Sequence, residues 1–184
     1  SSAAVYGGSN GKRIKETDQL NGSGKYAETK KEAEKVCLEY AENHDLDVCM
    51  VRNFNTFGEG QTTDYLIPKL IVQSLTAEEI TIWSGKPVRD FTYIEDMVRA
   101  IVLLAHLEDF PRGEVFNLGS GKGRSVRELA RELSRWFHLP LKCQDKDISG
   151  ALYLVADNSK IREYTGWRIK VPFEVGLHRT IAWY

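Results

Sequence analysis

The chain has 184 residues, 42% hydrophobic and 28% charged, which suits one globular domain with a real core and excludes disorder or a fibrous repeat. A formal charge of -1 and a pI near 6.4 give no basic field for nucleic acid. The longest purely aliphatic run, Ala100 to Ala105, is far short of the roughly 20 residues of a membrane span.

In chain order, Ser1 to Gly7 reads as the end of a buried strand and the loop beyond it, with no Met and no leading element, as in a piece of a longer protein. Residues 8–24, rich in Gly, Asn, Ser and Lys, read as a surface loop. A long helix follows over about 25–44. Its inner stripe is Tyr26, Thr29, Lys30, Ala33, Val36, Cys37, Tyr40 and Ala41, and its outer face carries Glu28, Lys31, Glu32, Glu34, Lys35 and Glu42. Asp47 to Arg52 predicts a strand and Asn53 to Thr62 a loop. Asp64 to Thr76 predicts a helix with Pro68 in its first turn or at a kink.

Glu79 to Ser84 alternates as a strand does, Arg89 to Tyr93 is extended, Ile94 to His106 is helical and Glu114 to Leu118 is a strand. Ser125 with Glu128 forms a capping box for a helix reaching Phe137. Leu139 to Cys143 and Leu152 to Val155 read as short strands. A helix over Asn158 to Tyr164 ends at Gly166, and a last one runs from Pro172 to Tyr184. Strands alternating with helices predict an α/β protein with parallel strands and a small second lobe.

Cys37, Cys49 and Cys143 are too few and too scattered for a disulfide framework or a zinc site, and read as reduced thiols of a cytoplasmic protein. The opening residues do not read as a signal peptide. The four histidines lack ligand-like spacing, so no metal is assigned.

Tyr26 and Lys30 are four apart and share one helix face. A nearby ammonium favours phenolate, so a tyrosine so placed can exchange the proton of a sugar hydroxyl while hydride moves to or from a nicotinamide. Such pairs are common, and alone this one would signify only an ordinary helix. Ser2 precedes it at a strand end, where open α/β sheets build their sites.

Together, Ser2 to Gly7, the Tyr-x-x-x-Lys of Tyr26 to Lys30, Arg52 to Gly58, Arg89 to Asp96, Phe116 to Gly121, Ala156 to Lys160 and Gly166-Trp167 resemble the extended short-chain dehydrogenase/reductases, in family order. The resemblance implies the C-terminal part of a Rossmann-type parallel sheet plus a small α/β substrate-binding lobe. About 1–62 and interleaved later segments fall to the core and about 63–184 mostly to the lobe. It further implies NAD as cofactor, with NADP not set apart, a nucleotide-diphosphate sugar as substrate, and a homodimer whose interface includes the Tyr26 to Tyr40 helix. Tyr26 would be the acid/base, Lys30 its partner and ribose contact, and Ser2 would orient the substrate oxygen. Phe54 would lie beside the nicotinamide, and Asn55, Leu66 and Asn117 near the sugar-diphosphate. Arg89 would bind the diphosphate, against the plainer reading of an Arg89–Asp90 ion pair.

Two departures narrow the chemistry. The acidic pair that serves the family's 4,6-dehydratases is here Ala3 and Ala4, which leaves 4-epimerisation or keto-deoxysugar reduction. Asp145 to Gly150 lacks the arginine of the family's phosphate and ribose clamp, and offers Lys146 instead. The family's Gly-rich strand–turn–helix does not open this chain. Gly119 to Gly123 precedes a helix, but its place in the order makes it a substrate-lobe turn. The expectation is an NAD-dependent nucleotide-sugar epimerase present as a fragment that is inactive alone, with a keto-sugar reductase or a non-catalytic module of the same fold as the rivals.

Overall fold

The computed structural model describes residues 1–147 and 150–184. The expected opening strand is a single parallel bridge, Ser2 with Asn53. Beyond it Ala3–Tyr6 form one 3-10 turn, because the Ser2 Oγ caps it by accepting from the Ala4 N–H at 3.2 Å. Gly22 lies flat against this turn, its N–H donating to Val5 O at 2.8 Å. A Cβ there would meet Ala4 O at 2.0 Å, so only glycine permits the approach. The 8–24 segment is therefore not all surface: Ile14 is buried and bridges Ala156.

Helix α1 (Lys25–Asn43) follows as expected, but its inner face is rotated. Ala27, Glu34 and Ala41 are buried, while Tyr26, Val36 and Tyr40, expected inside, are exposed. Strand β1 (Met50–Asn53) is followed by β2 (Asn55–Phe57), which lies within the stretch read as loop. Its partner comes from far along the chain. Helix α2 (Leu66–Thr76) takes Pro68 in its first turn, where a missing N–H costs nothing.

Strands β3 (Ile80–Ile82), β4 (Val88–Arg89) and β5 (Phe91–Tyr93) precede helix α3 (Ile94–Ala105). Strand β6 (Val115–Leu118) and β7 (Arg124–Ser125) lead to helix α4 (Val126–Phe137), whose capping box of Ser125 and Glu128 is complete. Strands β8 (Leu141–Cys143) and β9 (Tyr153–Leu154), then helices α5 (Ser159–Thr165) and α6 (Phe173–Trp183), complete the order. Gly166 ends α5 in the left-handed region, at φ 68°.

The protein is an α/β fold dominated by parallel pairs. β1 runs parallel to β6, β2 to β5, β3 to β8 and β4 to β9, and β4 with β7 is antiparallel. The register Asn53–Leu118 sets Ser2, β1 and β6 side by side. Three apolar clusters support this frame. One joins α2, α4 and α6 across β3 and β5. A second packs α3 and α5 on β6 around Trp167. The third holds Ala3, Val5, Tyr6, Ile14, Phe54 and Ala156 beneath the Ser2 turn.

Candidate active site

Tyr26 stands in the first turn of α1 with 60% of its surface exposed, and the Lys30 ammonium lies 5.6 Å from its ring centroid, one turn along. Tyr26 lines a cleft of about 420 Å³ together with Ser2, Asn53, Phe54, Asn55 and Gln61. The pieces come from the capped turn, the first turn of α1, the run from β1 into β2, the loop that follows β2, and Leu154 of β9. The parallel pairing of Ser2 with Asn53 brings them to one sheet end.

The polar atoms of this cleft are unusual. Asn53 Oδ1, Asn55 Oδ1 and Gln61 Oε1 are buried with no hydrogen-bond donor. Buried polar atoms in folded proteins nearly always have a partner. The three residues that carry these unpaired oxygens all line the one cleft.

Directly behind it lies a polar cluster in which every group is paired. Arg52 donates to both Glu34 oxygens, at 2.8 and 2.7 Å, and to the Tyr6 hydroxyl at 2.7 Å. Tyr6 in turn donates to Asn117 Oδ1 at 2.7 Å. Arg52 and Glu34 are each only 5% exposed. Burial pushes the Tyr6 phenol up to about 12 despite Arg52 beside it, so Tyr6 is a neutral donor and not a second acid/base. This cluster ties α1 to β1 and fixes the rotation of α1 that turns Tyr26 outward. The amphipathic pattern of α1 missed it, because Glu34 looks like a surface residue until Arg52 is seen opposite.

The structure thus gathers Ser2, Tyr26, Phe54 and Asn55 at one cleft, with Lys30 beside Tyr26. Most of the Phe54 ring is buried against the Ala3–Tyr6 turn, 6.3 Å from the Tyr6 ring. Three expected contacts lie elsewhere. Asn117 is fully buried, its amide oxygen taken by Tyr6 and its Nδ2 donating to Ile14 O at 2.8 Å, so its visible role is to hold the turn and the 14–16 segment together. Leu66 packs beside the α2 cluster, outside the cleft lining.

Arg89 makes no pair with Asp90. Its guanidinium donates to Val88 O at 3.0 Å, and burial lowers its pKa. The Asp90 carboxylate instead accepts from the backbone N–H groups of Ser120, Gly121 and Ala156. That settles the Gly119 to Gly123 turn in physical terms. Amides that would cradle a phosphate already hold an internal carboxylate, and a Cβ at Gly119 would meet Asp90 Oδ2 at 2.6 Å. In the segment with Lys146, residues 148 and 149 lie outside the described residues, and the Lys146 ammonium sits 5.7 Å from the Trp83 ring centroid.

A second cleft, of about 370 Å³, lies among β5, the 120–124 turn and residues 169–174, and includes none of the expected site residues. Of its two cations, Lys122 and Arg124, the second pairs with Glu132 and Glu174 and stacks on Phe173 at 4.0 Å. No helix of the described residues is long and apolar enough to cross a membrane. Sequence reasoning missed Asn53 and Gln61. Asn53 was inside the quoted Arg52 to Gly58 segment, but Gln61 lay in an unremarkable loop with no signal to single it out.

The chain is 28% identical over 174 residues to a trifunctional UDP-glucose 4,6-dehydratase/UDP-4-keto-6-deoxy-D-glucose 3,5-epimerase/UDP-4-keto-L-rhamnose-reductase of Arabidopsis thaliana, covering 92% of this chain and 26% of that protein. It is 34% identical over 163 residues to a UDP-glucuronate 4-epimerase of Thermodesulfobacterium geofontis, covering 86% of this chain and 49% of the relative. Among solved structures, MoeE5 in complex with UDP-glucose and NAD superposes with a TM-score of 0.89 at 31% identity, covering 100% of this chain and 62% of that one. The same protein is also known in complex with UDP-glucuronic acid and NAD. The chain therefore spans about a quarter of the first relative and about half of the second. The family model described as the NAD dependent epimerase/dehydratase family matches residues 1–119, and the chain belongs to that family.

Proposed function

We propose that this chain carries the proton-transfer and sugar-binding half of an NAD-dependent nucleotide-sugar 4-epimerase. The observation that carries the reading is the convergence of Tyr26, Ser2 and Asn55 on a cleft with unpaired acceptor oxygens. Tyr26 removes the proton of a sugar hydroxyl and later returns it. Lys30, one helix turn away, supplies positive charge beside the phenol and a donor for a ribose hydroxyl. Ser2 holds the reacting oxygen, Phe54 backs the nicotinamide side, and Asn55 receives a sugar hydroxyl. Leu66, Arg89 and Asn117 are assigned to the diphosphate end by family resemblance alone. NAD, when bound, supplies the hydride acceptor and donor. The residues present fit that division of labour: an exposed phenol with an ammonium beside it, and Ser and Asn side chains lining the same cleft.

Ala3 and Ala4 next to Ser2 provide no acid or base for water elimination, which favours epimerisation over dehydration. A reductase of keto-deoxysugars would use the same Tyr26 and Lys30, but would consume reduced cofactor. The exposed Val36 and Tyr40 on α1 support a homodimer through that helix, and the three free cysteines suit a cytoplasmic protein.

Because the chain spans only part of its relatives, the activity is proposed for the assembled site. Mass spectrometry of the denatured protein tests whether NAD is retained. The mechanism is tested by Tyr26→Phe, which removes only an exposed hydroxyl. Turnover should fall by about 10²- to 10⁴-fold with an unchanged circular dichroism spectrum. Retained turnover would take Tyr26 out of the reaction, and net loss of NADH with a keto-sugar would favour the reductase.

A further inference from the structure

Tyr26 stands in a helical turn that has no side-chain cap. Helix α1 starts from Gly24, at φ 90°, so its first N–H groups lack the oxygen that a Ser, Thr, Asp or Asn would bring. What braces this turn is Lys31. Its place in the pattern is the outer face of α1, but in the fold it falls on the buried stripe, between Ala27 and Glu34, with only 17% of its side chain exposed.

From there the Lys31 ammonium reaches back past the start of the helix. It donates to Gly22 O at 2.6 Å and to Glu28 Oε1 at 3.1 Å. Gly22 in turn donates its N–H to Val5 O at 2.8 Å. One short run of bonds therefore passes from α1 through Gly22 to the turn that Ser2 caps. Tyr26 lies at one end of this run and Ser2 at the other, and both line the cleft. A cation near a helix N-terminus works against the helix dipole. A charge-assisted bond to a shielded carbonyl offsets that cost.

We propose that Lys31 is a positioning residue, whose ammonium holds the first turn of α1, and with it Tyr26, in place against the turn that carries Ser2. The two adjacent lysines then divide the work: Lys30 stands beside the Tyr26 ring, and Lys31, outside the cleft lining, holds the backbone under it. This rests on the reading in which Tyr26 exchanges the proton, and adds to it a residue that acts only through others.

Lys31→Met keeps the apolar stem and removes only the ammonium. Hydrogen exchange of the full chain should show the Gly22 and Glu28 amides, bonded to Val5 O and Gly24 O, exchanging about 10-fold faster. Amides of β1 and α4 should stay within about 3-fold of the parent. Lys31→Arg, which still reaches a carbonyl, should restore most of the protection. If the methionine variant fails to fold, Lys31→Gln, shorter and uncharged, should show the same local loss. Unchanged exchange at Gly22 and Glu28, or an equal loss across the whole chain, overturns the brace, the second because it marks general destabilisation. In the NAD-loaded enzyme, with UDP-glucose and UDP-glucuronate as probes, Lys31→Met should lower kcat about 10-fold and leave KM within about 3-fold. An unchanged kcat overturns the positioning role even where the amides loosen. Absence of turnover in the parent counts against the nucleotide-sugar reading instead, and the exchange result, which needs no substrate, keeps the two failures apart.

Discussion

Arg52 and Asn53 are neighbours on one strand, yet they serve opposite physical ends. Arg52 points into a cluster where every polar group has its partner: two Glu34 oxygens, the Tyr6 hydroxyl and, through it, Asn117. Asn53 points the other way, as strand alternation requires, and with Asn55 it leaves an oxygen unpaired in the cleft. A buried polar group with its bonds complete is structure. One left short of a donor costs stability, and persists in a folded protein where binding repays it.

Substitutions on the two sides should separate accordingly. The largest effect is expected from Arg52→Met, which leaves the Glu34 carboxylate buried without its partner. The loss should be about 3–5 kcal/mol by urea denaturation, and a variant as stable as the parent would mean that the cluster does not hold α1 in place. Next comes Glu34→Gln. Burial raises the Glu34 carboxyl, but the Arg52 and Ser1 contacts outweigh it and hold the net value below the usual 4.5. A carboxyl depressed in the folded state stabilises fully above its unfolded value, and that contribution is lost as pH falls through the folded one. Glu34→Gln should therefore be less stable than the parent by about 1–3 kcal/mol at neutral pH. The gap should close as the pH is lowered below the carboxylate range, and a gap independent of pH would show that the ion pair adds nothing.

The smallest stability effect belongs to the cleft. Asn55→Leu removes an acceptor that no protein group uses, so the melting midpoint should hold or rise, by no more than about 1 kcal/mol equivalent. Affinity for UDP-glucose should nevertheless fall about 10-fold. A large loss of stability there would place Asn55 with the structural cluster instead, and erase the contrast between the two sides of the strand.

The pattern of the chain disclosed what depends on near neighbours. The Ser125–Glu128 capping box, the stop at Gly166 and the placement of Pro68 in a first helical turn are local events, and all three appear where the sequence put them. So does the pairing of Tyr26 with Lys30, since i,i+4 spacing on a helix is enough to bring them together. Motif order likewise announced the family.

What the sequence could not decide depended on residues far apart in the chain. The strand Asn55–Phe57 exists because residues 91–93 lie parallel to it, and nothing in the loop-like Asn-Thr-Phe-Gly stretch announces that partner. The buried face of α1 turns on a carboxylate that periodicity assigns to solvent, because apolar patterning has no means of seeing an arginine 18 positions away in the chain. Asn117 shows the same limit from the other side. Its motif suggests a ligand contact, and the fold adds a second role that the motif does not show: its amide accepts from Tyr6, 111 residues earlier, and donates to Ile14 O. Local chemistry fixes helix ends and residue pairs. The satisfaction of buried polar groups is a property of the whole fold, and here it is what separates the unpaired oxygens of Asn53, Asn55 and Gln61 from the paired ones beside them.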